Sequence, residues 1–594
     1  MRTSATAAPS LRGERREQTG GAPGTAEVLG KLLRIGAPEW GRLLLAVLLG
    51  VLGALATVGL LAGSGYVVDR AAFHPRLGAI AGILAAVEVL AFARGPLRYG
   101  ERLVAHDVAF RSLSRWRVWL FDHLEPLAPA GLAGWRSGEL LARLTGDVDA
   151  LQDLYLRCLL PVAVTASAGT LAVALVAAIL PLAGGVLAAS LVTGLVASAA
   201  LAVVTGTPHG REAALRGELA SEVVDLLRGA PELAAYGQED VALSRAEELD
   251  RELERLARRR ARAAGAASAV VTLCTGAAVT GVLAVGIAAV RAHTVGAVTL
   301  GVLPLAAVGA FETVPAIAVA AVRANDVVAA GRRLLALAAV AVPVRDPSRA
   351  DAVPEGCPAV AFDRARLRYG EDLPWALDGL TLSVAPGEHL GLVGASGAGK
   401  SSLVNVLARF WPLQAGMASL GGVPLERLRQ RDVRRAIALV DQDAFLFAGS
   451  IRQNVVLGRP EASDAEIGRA LEQAQLTDWL ATLPQGLDTQ VGEGGAQVSG
   501  GQRRRIALAR ALVSGGSVLV LDEPTAGLDH LSGRRLVADV SDAASAENRS
   551  LLLVTHREHE LGGFDRVVVV EQGRVVAVYV PPPRGEEGPA TEPR

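Results

Sequence analysis

Six apolar stretches, near residues 42–63, 77–94, 159–180, 183–204, 267–290 and 297–320, set the first limit on what this chain can fold into. A helix needs about 20 residues to cross a bilayer, and several of these runs approach that length without a charge. Inside hydrocarbon every backbone N–H and C=O must be paired within the protein, so such runs read as helices. Mean hydropathy is +0.35 and 51% of residues are hydrophobic, yet 20% are charged. That mixture implies a membrane part joined to a soluble part, and 594 residues allow two to four domains.

Arginine sets the orientation. It is dense before the first stretch (Arg12, Arg15, Arg16, Arg34, Arg42), between the second and third (Arg98 to Arg157) and between the fourth and fifth (Arg211 to Arg262). The remaining links are short and carry few charges, so the positive-inside rule places both termini and both long connections in the cytoplasm. Glu218 to Arg262 continues the helical spacing of apolar positions. The turns at Pro126–Gly138 and Ala235–Glu239 are therefore candidate contacts with a soluble domain. Glu88 and Glu312 fall inside spans, where a carboxylate is either paired with a neighbouring helix or part of a substrate path. Pro315 predicts a kink beside Glu312.

Residues 1–25 and 578–594 lack apolar runs and read as disordered tails, the first with no signal-peptide core. Cys158, Cys274 and Cys357 are too far apart for a disulfide framework or a zinc site, which suits a reducing cytoplasmic face. A net charge of −1 gives no reason to expect nucleic acid.

From about residue 359, after a proline-bounded linker at 343–358, the pattern changes to short β-type runs, turns and helices. Gly394-Ala395-Ser396-Gly397-Ala398-Gly399-Lys400-Ser401-Ser402 follows the apolar strand Leu390–Val393 and opens a helix. That is the setting of a phosphate loop, whose glycines turn backbone N–H groups inward around an anion. Lys400 can reach the outer phosphates and Ser401 can ligate Mg²⁺. Of 59 lysines and arginines only Lys31 and Lys400 are lysine, and one of them stands where a guanidinium would not fit.

Four further elements follow in order. Gln442 ends the apolar run Ile437–Val440 and can reach Mg²⁺ and an attacking water. Ser499-Gly500-Gly501-Gln502 is a second glycine turn ahead of a helix, offering another anion site. Asp522 and Glu523 end a buried strand, the first suited to Mg²⁺ and the second to general-base work on water. His556 ends another strand and can orient that water. Upstream, Tyr369 is the aromatic expected to stack on adenine.

This order of motifs resembles the nucleotide-binding domain of ATP-binding cassette (ABC) transporters, and six spans ahead of it resemble the exporter-type half-transporter. The expected fold is multidomain. An all-α six-helix transmembrane domain at 26–342 precedes an α/β P-loop nucleotide-binding domain at 359–577. In that family two cassettes pair head to tail, and Ser499 and Gly501 of one complete the ATP site of the other. Arg98–Asp107, Glu125–Leu132, Leu144–Leu151 and Asp153–Arg157 are similar to the CydC subunits of bacterial CydDC exporters.

That resemblance implies a CydD-like partner, a bacterial cytoplasmic membrane, ATP and Mg²⁺, and small thiol reductants (cysteine, glutathione) as cargo supporting cytochrome bd assembly. Haem has also been proposed as cargo there, with His106 the position carried over as an axial ligand. The alternatives are a homodimeric lipid, peptide or drug exporter and a haem-responsive assembly factor. Departures from the pattern are Val498 where leucine is usual, Gly527 where alanine is commoner, and an early end after Gly573-Arg574.

Overall fold

The computed structural model describes residues 24–584 apart from 38, 75, 77, 136, 206–208 and 443. The expected N-terminal tail lies outside the described residues except for its last two positions, and residue 25 already opens a helix, Thr25–Gly36. Two compact units emerge. One takes the chain up to Glu125 and Gly134–Val340, and the other Pro126–Ala133 and everything from Ala341.

The first unit is all helix. Its six spans are Trp40–Ala71, Ile80–Leu127, Arg143–Ile179, Pro181–Leu201, Glu239–Arg291 and Thr299–Ala338. The helix Gly78–Leu124 has 47 residues and Glu239–Arg291 has 53. At 1.5 Å per residue both run to roughly 70 Å or more, over twice a hydrocarbon core. The expected spans 77–94 and 267–290 are therefore only the apolar thirds to halves of longer rods, whose polar remainder keeps the helical repeat.

Small residues let these rods approach. A Cβ at Gly65 would meet the Gly301 carbonyl at 2.3 Å, and one at Gly309 would meet the Val58 Cα at 2.9 Å. Such positions replace the hydrophobic drive that lipid removes with close backbone packing. Val58, Leu187, Val282, Leu303 and Phe311 form the middle of the resulting core. The expected disturbance at Pro315 is a short irregular turn: one α-helix ends at Phe311 and the next begins at Pro315, with right-handed backbone between them, so the two run on as one span. Proline suits that first helical position because its missing N–H would have had no partner. Thr165 donates its hydroxyl to the Thr313 carbonyl at 3.1 Å, which also accepts from the Ala316 N–H at 3.3 Å, and Arg98 pairs with Glu312.

The second unit carries two sheets. β1 (Val360–Leu367), β2 (Leu377–Val384), β4 (Ala415–Leu420) and β5 (Val423–Pro424) form an antiparallel sheet in the order β2-β1-β4-β5. The larger sheet adds β3 (His389–Val393), β6 (Ile437–Val440), β7 (Val518–Asp522), β8 (Ser550–Val554), β9 (Arg566–Glu571) and β10 (Arg574–Tyr579). Its order is β10-β9-β3-β8-β7-β6, parallel except for β10. β3, β7 and β8 are buried along their whole length, as strands covered on both faces must be.

The C-terminal stretch differs from the expected tail. β10 pairs with β9 as far as Tyr579, the Gly563 N–H donates to the Pro582 carbonyl at 3.1 Å, and Arg584 pairs with Asp542 at 2.6 Å. Only Val578 and Tyr579 of the edge strand fall in the expected tail, and the Pro-rich residues after it hide the anchor, which is held by contacts distant in sequence.

Candidate active site

In a parallel sheet, ligand-binding groups gather at the carboxyl ends of the strands. Here β3 leads into the phosphate loop, β7 ends in Asp522 and β8 is followed by His556. Two glycines of the loop are required by geometry. Gly394 has φ +156° and Gly399 φ +105°, and a Cβ on either would stand 2.2 Å from a carbonyl oxygen, of Val570 and Ala376 respectively. Gly397, at φ +80°, completes the turn. Lys400 is buried, and its ammonium donates to the Gly394 and Ala395 carbonyls at 2.8 and 2.9 Å. The charge is thus held over the loop by the loop itself.

Ser401 donates its hydroxyl to Asp522 at 2.7 Å across 121 residues of sequence. Asp522 is 2% exposed, and burial pushes its carboxyl above the ordinary range, opposed by that hydrogen bond and assisted by repulsion from Asp441 and Glu523. A hydroxyl and a carboxylate side by side are hard oxygen donors of the kind Mg²⁺ takes. The residues present fit a magnesium nucleotide: a backbone cradle, an ammonium, and an oxygen pair whose charge burial penalises until a cation shares it.

The three residues expected to handle water meet at one carboxylate. Gln442 donates its amide to Glu523 Oε2 at 3.2 Å, and His556 Nδ1 lies 3.2 Å from Oε1. Glu523 itself has φ +49°, a left-handed conformation that costs a non-glycine residue free energy. Tyr369 is tied to the same region. Its hydroxyl donates to Ser402 at 3.0 Å and accepts from the Asn405 amide at 3.2 Å, and its half-exposed ring stands edge-on to Trp411 at 4.6 Å.

Ser499 caps the helix Gly500–Ser514 in a reciprocal capping box with Gln502. Among the described residues no hydrogen bond joins this turn to the phosphate loop, so Ser499, Gly500, Gly501 and Gln502 stand apart from the other site residues. Their link to the site is indirect and was missed by sequence reasoning. Arg504 donates to the Gln442 carbonyl at 3.2 Å and to the Ala526 carbonyl at 2.6 Å. Also missed is Glu560, 3% exposed, which accepts from Thr525 at 2.7 Å and Thr555 at 3.4 Å and so fixes the loops after both carboxylate and histidine strands. Nothing in the local pattern marks either residue, because their partners come from the topology.

In the first unit, Glu312 is paired with Arg98 and Glu88 is exposed. His106 is exposed, with Phe110 as its ring neighbour at 5.8 Å. No cluster of three metal-binding side chains occurs among the described residues.

Comparison with known proteins agrees with this geometry. A family pattern described as ABC transporter matches residues 377–526, and one described as ABC transporter transmembrane region matches 42–308. A bacterial Atm1-family ABC exporter with ATP bound superposes with a TM-score of 0.80 over 92% of this chain and 95% of that one, at 24% identity. The chain belongs to the ABC transporter family, as an exporter-type subunit with its membrane and ATP-binding domains in one polypeptide.

Within that family it is CydC-like. It is 31% identical over 550 residues to the glutathione/L-cysteine transport system ATP-binding/permease protein CydC of Escherichia coli, covering 90% of this chain and 93% of that one. The Haemophilus influenzae protein of the same description is 28% identical over the same shares. An ATP-dependent lipid A-core flippase of Ralstonia nicotianae is 43% identical, but over only 36% of each chain.

Proposed function

We propose that the chain is one half of a two-chain exporter that couples ATP hydrolysis to movement of small thiol reductants, cysteine or glutathione, out of a bacterial cytoplasm, in support of cytochrome bd assembly. The observation that carries this reading is the CydC match, which runs through membrane and ATP-binding domains together. The partner in this reading is CydD-like, and the cassette and both termini lie on the cytoplasmic side.

In this reading the loop amides and Lys400 bind the phosphates and Tyr369 lies against the base. Ser401 and Asp522 hold Mg²⁺, which when bound neutralises charge on the phosphates. Glu523 takes the proton of the attacking water, with Gln442 and His556 holding its two oxygens and so the water's direction. Ser499 and Gly501 act on the nucleotide of the opposite cassette. The separation of the signature turn from the chain's own phosphate loop supports that exchange.

The test is co-expression with a CydD-like half-transporter, followed by ATP-dependent uptake of labelled glutathione and cysteine into inside-out vesicles. Uptake that needs both chains is expected. Full thiol-independent activity from this chain alone, or flux of lipid without thiol, would overturn the reading.

A further inference from the structure

A cavity of about 430 Å³ lies between the helices Glu239–Arg291 and Pro315–Ala338. That volume is within the range of small-molecule sites. Its lining is graded along both helices. One end is walled by Arg260, Arg323 and Asp326, and the far end by Val271, Pro315 and Ala318. Each helix covers eleven positions between those ends, a rise of roughly 16 Å. Between them come small side chains, among them Ala263, Ala267 and Ser268, which keep the slot open.

The charged end falls just outside the apolar runs at 267–290 and 297–320, and the aliphatic end falls within them. The polarity of the slot therefore follows the polarity of a bilayer leaflet, with charge at the interface and hydrocarbon inside.

The charged end also has capacity to spare. Arg260 is paired with Glu212. Arg323 approaches Asp153 only to 3.7 Å and Asp326 only to 3.5 Å, both beyond hydrogen-bond length. None of its donors makes a hydrogen bond among the described residues, although a guanidinium offers five in a planar fork. Such a fork beside an apolar slot matches a carboxylate or phosphate carried on a hydrocarbon tail. A purely apolar guest would leave the donors outside those two ion pairs unused, and a small free anion would leave the slot unfilled.

We propose that this slot binds a single-tailed amphiphile with an anionic head, the head on Arg323 and the tail between Ala267 and Ala318. The assignment goes beyond the thiol-export reading and does not depend on it.

The full chain with its partner, in lipid nanodiscs, is to be labelled with palmitic acid bearing a diazirine in its tail and the adducts mapped by mass spectrometry. Adducts concentrated on 263–271 and 315–322 are expected. Unlabelled palmitate or hexadecyl phosphate should compete, and hexadecanol or inorganic phosphate should not. Arg323→Gln should weaken competition by about tenfold or more. Ala318→Phe, which fills the tail region, should abolish those adducts in protein that still elutes as a single species. Labelling spread evenly over lipid-facing helices, equal competition by hexadecanol, competition by inorganic phosphate alone, or labelling unchanged in both variants would each overturn the assignment.

Discussion

Glu523 is held in a conformation that costs stability, and the cost separates its chemical role from any structural one. At φ +49° it occupies the left-handed region, worth about 1–2 kcal/mol against a non-glycine residue. It also sits beside Asp522, whose carboxyl it pushes upward. Glu523→Gly removes the strain and the repulsion, while glycine's greater unfolded-state freedom returns about 0.5–1 kcal/mol. These two terms leave between about 0 and 1.5 kcal/mol in favour of glycine, and loss of the contacts from Gln442 and His556 offsets it by a similar amount, so Tm should stay within roughly 4 °C of wild type. Glu523→Gln keeps the strain but leaves an oxygen to accept from Gln442.

Both variants should lose ATP hydrolysis by about 10²- to 10⁴-fold, the usual contribution of a positioned base. Both should still bind nucleotide, because the loop, Lys400 and Ser401 are untouched. The assay pairs phosphate release with differential scanning calorimetry, in complexes whose partner phosphate loop is disabled. A Glu523→Gln complex hydrolysing at more than a tenth of the wild-type rate would refute the base assignment. A Glu523→Gly cassette that melts more than about 4 °C below wild type would refute the strain argument, whatever its activity.

Gly399→Ala puts a methyl 2.2 Å from the Ala376 carbonyl at a φ of +105°, so nucleotide binding should weaken at least about tenfold while the cassette's melting falls by about 1–3 kcal/mol, read by fluorescent-nucleotide titration and calorimetry. His389 is buried against Ser541 and Phe564, and burial holds its imidazole below the ordinary 6.5 despite Asp565 and Asp542 nearby. Its neutral form therefore adds stability above pH 6.5 that is lost as pH falls through the lowered value; Tm should decline below pH 6.5, and His389→Gln should flatten that decline. Arg98→Gln strands Glu312 in the turn before Pro315 and should lower detergent-extracted stability, whereas adding Glu312→Gln should restore much of it; losses that simply add would count against the pair.

What the sequence disclosed follows from how local each requirement is. The phosphate loop could be read because a tight anion cradle needs glycine at fixed offsets, and Gly394 and Gly399 leave no room for a Cβ. The six spans could be read because a bilayer demands uninterrupted apolar length. Helix ends could not, since Gly78–Leu124 keeps its repeat after hydrophobicity fades. The anchor at Arg584 was hidden by the prolines before it, because its partner Asp542 lies 42 residues away.

The residues that handle water and Mg²⁺ could be named from the sequence, but the contacts that join them could not. Gln442 and His556 reach Glu523 across 81 and 33 residues of chain, and Ser401 reaches Asp522 across 121. Strand order alone creates those meetings. Arg504 makes the further connection from the signature helix to the Gln442 carbonyl, without touching the reacting carboxylate. Movement of that helix, whatever displaces its Ser499 end, must therefore shift the residue that holds Glu523 Oε2. The signature turn and the catalytic carboxylate are thus mechanically joined within one chain, even though the signature's own ligand belongs, in the reading proposed above, to the other.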